Sequence, residues 1–232
     1  MSYYVRLMCK EDVAHVTEID HEAFPTQWPS PNYENELRNR LAHYIVVCDE
    51  RKIVEKPEVE PPSGKSLLPS RLRRLFGRNP SFSDELPSPI GHYIIGFSGF
   101  WIMADEAHIS NIVVREVYRR QGLGELLLIH IIDMAIGLKA RIVTLEVRVS
   151  NTVAQNLYSK YSFTQVGIRR GYYVDRGYQL NDREDGFVMT TPDMSSAEFQ
   201  AHLEQLKQAH YKKGGIALNQ ITGNYRVQPD NL

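Results

Sequence analysis

Short apolar strand-like runs and helix-like stretches alternate along this sequence, which predicts an α/β fold around one mixed β-sheet. Two observations carry that prediction. The strand-like runs are rich in β-branched residues and bounded by turn residues, and the stretch Leu123 to Ile136 is apolar nearly all round, so it must be packed deeply against a sheet. At 232 residues, 42% hydrophobic and 24% charged, the chain is long enough for one substantial core. A formal net charge of -1 gives no global field towards nucleic acid or a membrane, so any such contact must come from a local patch. Cys9 and Cys48 are the only cysteines, with no CxxC and no metal-ligand spacing among the histidines. A reducing compartment without structural zinc, and no metal at the site, is expected. Charges at Arg6, Lys10, Glu11 and Asp12 fit neither a signal peptide nor a membrane span, so a cytoplasmic protein is expected.

Tyr3 to Met8 alternates as a short strand, and Lys10, Glu11 and Asp12 open a helix to about Ala23 with Val13, Val16 and Ile19 at helical spacing. Phe24 to Pro31 is a proline-rich turn holding Phe24 and Trp28, followed by a second helix to roughly Leu41. His43 to Cys48 is a strand whose hairpin partner is Gly91 to Met103. A tight turn would ordinarily join them, but Glu55 to Ile90, rich in Pro and Ser, intervenes as an inserted loop. Its charge is segregated, with Glu55, Glu58 and Glu60 first, then Lys65, Arg71, Arg73, Arg74 and Arg78. Ser70 to Phe76 suits a short amphipathic helix facing RNA, an acidic protein or a membrane surface; a solvated linker is the plainer reading.

Ala107 to Val114 continues the sheet, and the apolar helix from Leu123 ends at Gly137 as a C-cap. Arg141 to Val149 is a strand, after which Ser150 or Asn151 caps a helix to about Lys160. Phe163 to Ile168 and Gly186 to Thr190 are the last strands, joined by a loop holding Arg169 to Asp185. Beyond Pro192, Ser195 to Glu198 has a capping-box pattern, and Phe199, Leu203, Leu206 and His210 recur at helical spacing up to Gly214. That helix docks either on the domain or on another molecule. The expected organisation is one domain over residues 1–192 and a helical extension with tail over 193–232.

The chemistry centres on Arg119-Arg120-Gln121-Gly122-Leu123-Gly124, between a strand and the apolar helix. Glycine permits close backbone approach, the first-turn N–H groups point outward and the helix dipole favours an anion, so the segment is built as a phosphate cradle. A turn that merely needs glycine is the alternative. A dinucleotide fingerprint is excluded because Leu127 stands at the third glycine position. Gly64-Lys65-Ser66 ends like a Walker loop, but Val59 stands where its first glycine belongs.

The pattern R-x-x-G-x-G after Asn111-Ile112-Val113-Val114 resembles the acyl-coenzyme A segment of the GNAT N-acetyltransferases. Asp105-Glu106-Ala107, Leu145 to Asn151, Leu157-Tyr158, Phe163, Arg169 to Tyr173 and Glu184-Asp185 to Met189 stand in the order of the RimI-type ribosomal-protein-alanine N-acetyltransferases. The resemblance spans about Tyr4 to Met189, interrupted once, and implies the splayed-strand GNAT sheet with acetyl-CoA as co-substrate. It further implies that Ile112, Val113 and Val114 lend backbone groups to the pantetheine arm, and that Arg119, Arg120, Gln121, Gly122, Leu123, Gly124 and Glu125 surround the pyrophosphate. The Glu125 side chain is expected to point away from phosphate. Glu116 stands where many relatives have proline.

By the same resemblance Glu146 is the base, acting through water, and Tyr158 the acid that protonates the leaving thiolate. Asn151 is implied to contact the coenzyme, while Phe24, Tyr172 and Tyr173 shape the acceptor slot. Plainer readings stand beside these: Glu146 pairing with a cation, Tyr158 and Phe24 packed in the core, Asn151 only capping its helix, Arg169, Arg170 and Arg176 as solvated loop charges. The function implied is acetylation of a protein N-terminus, a ribosomal protein's alanine; the alternatives are a small amine or lysine acceptor, or a coenzyme-binding, ribosome-associated module with little turnover.

Overall fold

The computed structural model describes residues 3–24, 31–53, 91–174 and 183–214. Trp28, the insertion with its basic Arg71 to Arg78 segment, Arg176 and the tail beyond 214 lie outside the described residues. The elements are β1 (Tyr3–Leu7), α1 (Val13–Ala23), α2 (Tyr33–Glu36), β2 (Ala42–Ile53), β3 (His92–Met103), β4 (Glu106–Val114), α3 (Leu123–Gly137), β5 (Ile142–Arg148), α4 (Thr152–Lys160), β6 (Thr164–Val174), β7 (Arg183–Thr190) and α5 (Ala197–Gly214). The strands form one seven-stranded sheet in the order β1-β2-β3-β4-β5-β7-β6. Only β4 and β5 pair in parallel; the other neighbours are antiparallel. The mixed α/β sheet expected from the sequence is therefore present. β2 and β3 pair across the insertion, with Tyr44 opposite Gly99 and Asp49 opposite Tyr93.

Strand alternation explains the two layers of core. Ile45 and Val47 of β2 join the cluster around α3, while Tyr44, Val46 and Cys48 join the cluster around α1, because successive side chains leave opposite faces. The α3 cluster includes the fully buried Leu127, Leu128, Ile129, Ile131 and Ile132. Each such side chain contributes roughly 1.5–3 kcal/mol on burial, so α3 anchors whatever its N-terminus carries. Phe199 and Leu203 of α5 belong to the same cluster, so the C-terminal helix docks on the sheet domain. Ser196 caps it, its Oγ accepting from Phe199 N at 3.3 Å.

Several boundaries differ from the sequence reading. The second helix stops at Glu36 rather than Leu41, because Asn39 Oδ1 accepts the Leu41 N–H at 3.1 Å and turns the chain into β2. Gly137 is the last residue of α3, not its left-handed cap; Lys139 takes that position at φ 66°, with Ala140 N donating to Ala135 O and Lys139 N to Ile136 O, both at 2.9 Å. β6 runs to Val174, so Arg169 to Tyr173 lie on a strand and not in a loop. A register irregularity between Arg169 and Tyr173, with Gly171 at φ 57°, re-aims the two tyrosines, and Asp185 Oδ1 accepts the Gly171 N–H at 2.7 Å.

Candidate active site

β4 and β5 are neighbours over only part of their length: Glu106 to Ile109 register with Ile142 to Leu145. The next β4 residue, Ser110, falls at a bulge opposite the Gly99–Phe100 step of β3, and a bulge bends its strand. Hydrogen bonds from Ser110 Oγ to Gly99 O (3.0 Å) and from Ser98 Oγ to Asn111 O (2.5 Å) hold the bend. Beyond it Ile112 to Val114 follow β3, while Glu146 to Arg148 follow β7. The facing edges therefore diverge. A cavity of about 350 Å³ borders them, lined by Phe24, Asn111, Ile112, Glu146, Asn151, Tyr158 and Tyr173 among others.

Glu146 alternates with the core residues Leu145 and Val147, and its carboxylate is 5% exposed. Oε2 lies 2.9 Å from His108 Nε2 and Oε1 lies 2.8 Å from Arg169 Nη2. Oε1, although ion-paired to Arg169, receives no well-aligned hydrogen bond among the described residues. The parallel register that sets His108 opposite Thr144 extends the network: His108 Nδ1 is 3.0 Å from Thr144 Oγ1, which donates to Glu106 Oε1 at 2.5 Å. Burial opposes ionisation of Glu146, but His108 and Arg169 outweigh it and hold the carboxyl below the usual carboxylate range.

Tyr158, on α4, is buried beside Phe163, with ring centroids 5.7 Å apart, and burial pushes its phenol up to about 12. It is a protonated donor at neutral pH. Arg148 bonds Glu184 Oε2 at 2.9 Å and lies 4.5 Å over the Tyr173 ring, fixing that aromatic at the cavity. Tyr172 packs edge-on against Tyr173 but is 45% exposed and does not line the cavity. Asn151 caps α4, its Oδ1 accepting from Ala154 N at 3.1 Å, while also lining the cavity.

A second cavity of about 670 Å³ lies at the start of α3, lined by Val114, Arg119, Arg120, Gln121, Gly122, Leu123, Gly124, Glu125 and His210 among others. Gly122 adopts φ +83°, and the first intrahelical bond runs from Leu126 N to Gly122 O at 2.9 Å, so the N–H groups of Leu123, Gly124 and Glu125 precede the helix ladder. A Cβ on Gly124 would meet nothing within 4 Å, leaving that face open. Arg119 Nε donates to Val114 O at 3.2 Å and Tyr3 Oη to Gln121 Oε1 at 3.0 Å, which ties the turn to the sheet. Glu125 turns to Lys160 (2.5 Å) and Tyr161 (2.8 Å), with His210 at 3.5 Å. Ile112 lines the first cavity and Val114 the second; the intervening Val113 side chain is buried in the α1 cluster.

Residues 68–163 match the acetyltransferase (GNAT) family. A Bacillus subtilis protein, provisionally named a ribosomal protein bS18-alanine N-acetyltransferase, is 33% identical over 186 residues, covering 80% of this chain and 92% of that protein. The chain belongs to the GNAT family. The Escherichia coli K12 ribosomal protein bS18-alanine N-acetyltransferase is 41% identical over 91 residues, 39% of this chain and 59% of that protein. The crystal structure of an E. coli ribosomal-protein-S18-alanine N-acetyltransferase superposes with a TM-score of 0.58 at 23% identity, covering 84% of this chain and 97% of that one. As a GNAT member the chain is an acetyl-CoA-dependent N-acetyltransferase.

This GNAT domain gathers most of the residues singled out in the sequence into two cavities. Tyr172 stands outside them, and the side chain of Val113 points into the core. The link from Glu146 through His108 and Thr144 to Glu106 is not legible in the sequence, because only the β4–β5 register brings these residues together. Arg169, legible as a loop charge, sits on β6 as the second partner of Glu146.

Proposed function

We propose that this enzyme transfers the acetyl group of acetyl-CoA to the α-amine of a protein N-terminus, and that the acceptor is a ribosomal protein beginning with alanine. The single observation that supports the chemistry is the cavity at the splayed β4–β5 edges, where a buried, ionised carboxylate and a protonated phenol line the same space. The acceptor rests on the name of the 33% identical relative.

Bound acetyl-CoA supplies the thioester. The β4 backbone from Ile112 to Val114 takes the pantetheine amides, and the free N–H groups of the α3 first turn, with Arg119, Arg120 and Gln121, take the pyrophosphate. The site leaves room for it: glycine at 124 opens the first turn, and among the described residues the β4 edge has no strand partner on the β5 side beyond Ile109. An α-amine has a pKa of about 7.7 to 8.0, so at neutral pH part of it is already nucleophilic. As the C–N bond forms and the C–S bond breaks, Glu146 Oε1 receives the amine proton through water and Tyr158 Oη gives its proton to the thiolate. His108 and Arg169 hold the carboxylate in line. Phe24 and Tyr173 border the acceptor slot, with Tyr172 buttressing Tyr173. Asn151 sets the start of α4 beside the coenzyme.

Residues 1–192 form the catalytic domain and 193–232 an extension whose helix α5 docks on it. The acid-free Arg71 to Arg78 segment suits an RNA or acidic partner by its charge. No helix among the described residues is long and apolar enough to cross a membrane, and we place the enzyme in the cytoplasm. The test is acetyl-CoA with three acceptor sets: peptides with a free N-terminal alanine, lysine peptides with blocked N-termini, and polyamines. Acetylation at the α-amine alone supports the proposal; preference for lysine or polyamine, or binding without turnover, replaces it.

A further inference from the structure

The helix α5 carries an unassigned group into the coenzyme cavity. Its apolar side packs Phe199 and Leu203 into the α3 cluster, and Lys207 Nζ reaches Asp133 at 2.5 Å. One turn from Leu206, His210 arrives at the start of α3 and is 6% exposed. Its Cε1 lies 3.0 Å from where a Cβ on Gly122 would stand, so the imidazole occupies the space that glycine leaves at the turn. Nδ1 faces Glu125 Oε2 at 3.5 Å, while Nε2 is buried with no hydrogen-bond partner among the described residues. A buried ring nitrogen without a partner is costly and calls for an explanation. Lys213, further along the same helix, lines the same cavity as Arg119 and Arg120.

We propose that His210 is a coenzyme-binding residue, its Nε2–H donating to the pyrophosphate of acetyl-CoA at the α3 first turn, so that the C-terminal extension forms part of the cosubstrate site. This rests on the assignment of that turn as the pyrophosphate seat. Glu125 Oε2 faces Nδ1 at 3.5 Å, which leaves Nε2 on the far side of the ring for the anion, a carboxylate–imidazole–phosphate order in which a second donor helix supplements the dipole of α3. The negative charge of Glu125 is offset by Lys160 and by the Tyr161 hydroxyl, which keeps it from repelling the ligand.

Calorimetry of the full chain with CoA, 3′-dephospho-CoA and pantetheine tests this. His210→Ala should weaken CoA and 3′-dephospho-CoA alike, by about ten- to a hundred-fold for one hydrogen bond to a charged group, and leave pantetheine unchanged. An unchanged CoA affinity, an equal loss for all three ligands, or a loss confined to CoA would each overturn the assignment. The last of these would move the contact to the ribose 3′-phosphate. Should His210→Ala melt at a lower temperature, the ¹⁵N resonance of the His210 Nε2 in unsubstituted protein decides: it should move on adding 3′-dephospho-CoA and stay still with pantetheine. A resonance indifferent to both overturns the proposal. Gly124→Val separates the underlying reading, because failure of that variant to weaken CoA removes the cradle itself, whereas its success with His210→Ala inert removes His210 alone.

Discussion

Replacing Glu146 by Gln keeps the side chain's size and removes its charge from between His108 (2.9 Å) and Arg169 (2.8 Å). General-base assistance is worth about 10²- to 10⁴-fold. His108 and Arg169 hold the carboxyl below its usual range, making it a weaker base, so the loss in kcat should fall near 10²-fold, the lower end of that range. The sign of the pH dependence follows. Glu146 stays ionised throughout the neutral range and can take the proton of a bound ammonium, so the unsubstituted enzyme's rate should stay nearly level, whereas Glu146→Gln must draw on the neutral α-amine, about a tenth of the total at pH 7 and nine-tenths at pH 9. The deficit of Glu146→Gln should therefore narrow by up to about ten-fold over that interval. Initial rates with an alanine-initiated peptide at saturating acetyl-CoA, with CoA affinity from calorimetry, give both quantities. Full activity of Glu146→Gln at pH 7, or a deficit that does not change with pH, would refute the assignment.

Tyr158→Phe should lower kcat by about 10²-fold or more while moving the melting temperature little, since the ring packing against Phe163 survives; a lowered melt with normal specific activity would make Tyr158 a packing residue. Gly124→Val should weaken CoA binding with native far-UV circular dichroism, because the added side chain meets no protein atom and fills only the space kept for the ligand. For Glu125, burial opposes ionisation, but hydrogen bonds with His210, Lys160 and Tyr161 prevail and depress its pKa from 4.5 to about 2. A folded-state pKa below the unfolded one stabilises above pH 4.5 and loses that stability as pH falls towards 2. The advantage of the unsubstituted protein over Glu125→Gln in chemical denaturation should be at most about 3 kcal/mol near pH 6 and should shrink through that window; a gap independent of pH would contradict it.

Much of the fold was legible because it rests on local periodicity. The all-round apolar character of Leu123 to Ile136 required a buried helix, and the Ser150-Asn151 pair and the Ser195 to Glu198 pattern marked helix starts, which Asn151 and Ser196 cap. The errors arose where a side chain or a partner strand overruled propensity. Asn39 ends the second helix through its own amide, Lys139 takes the left-handed turn expected of Gly137, and pairing with β7 carries Arg169 to Tyr173 into strand. At the site, glycines, arginines and the Glu146 and Tyr158 positions stood in recognisable order. His108 did not, because its meeting with Glu146 depends on the parallel β4–β5 register, and His210 did not, because helical spacing alone reads it as one more inward-facing residue of α5.

The proposed chemistry has the pair Glu146 and Tyr158 acetylate a protein α-amine. Mass spectrometry with fragmentation of an alanine-initiated peptide that also contains lysine, after incubation with enzyme and acetyl-CoA, tests it most directly. One acetyl group is expected on the terminal amine, formed slowly or not at all by Glu146→Gln and Tyr158→Phe. Acetylation of the lysine with the terminus left free, or terminal acetylation undiminished in both variants, would contradict it.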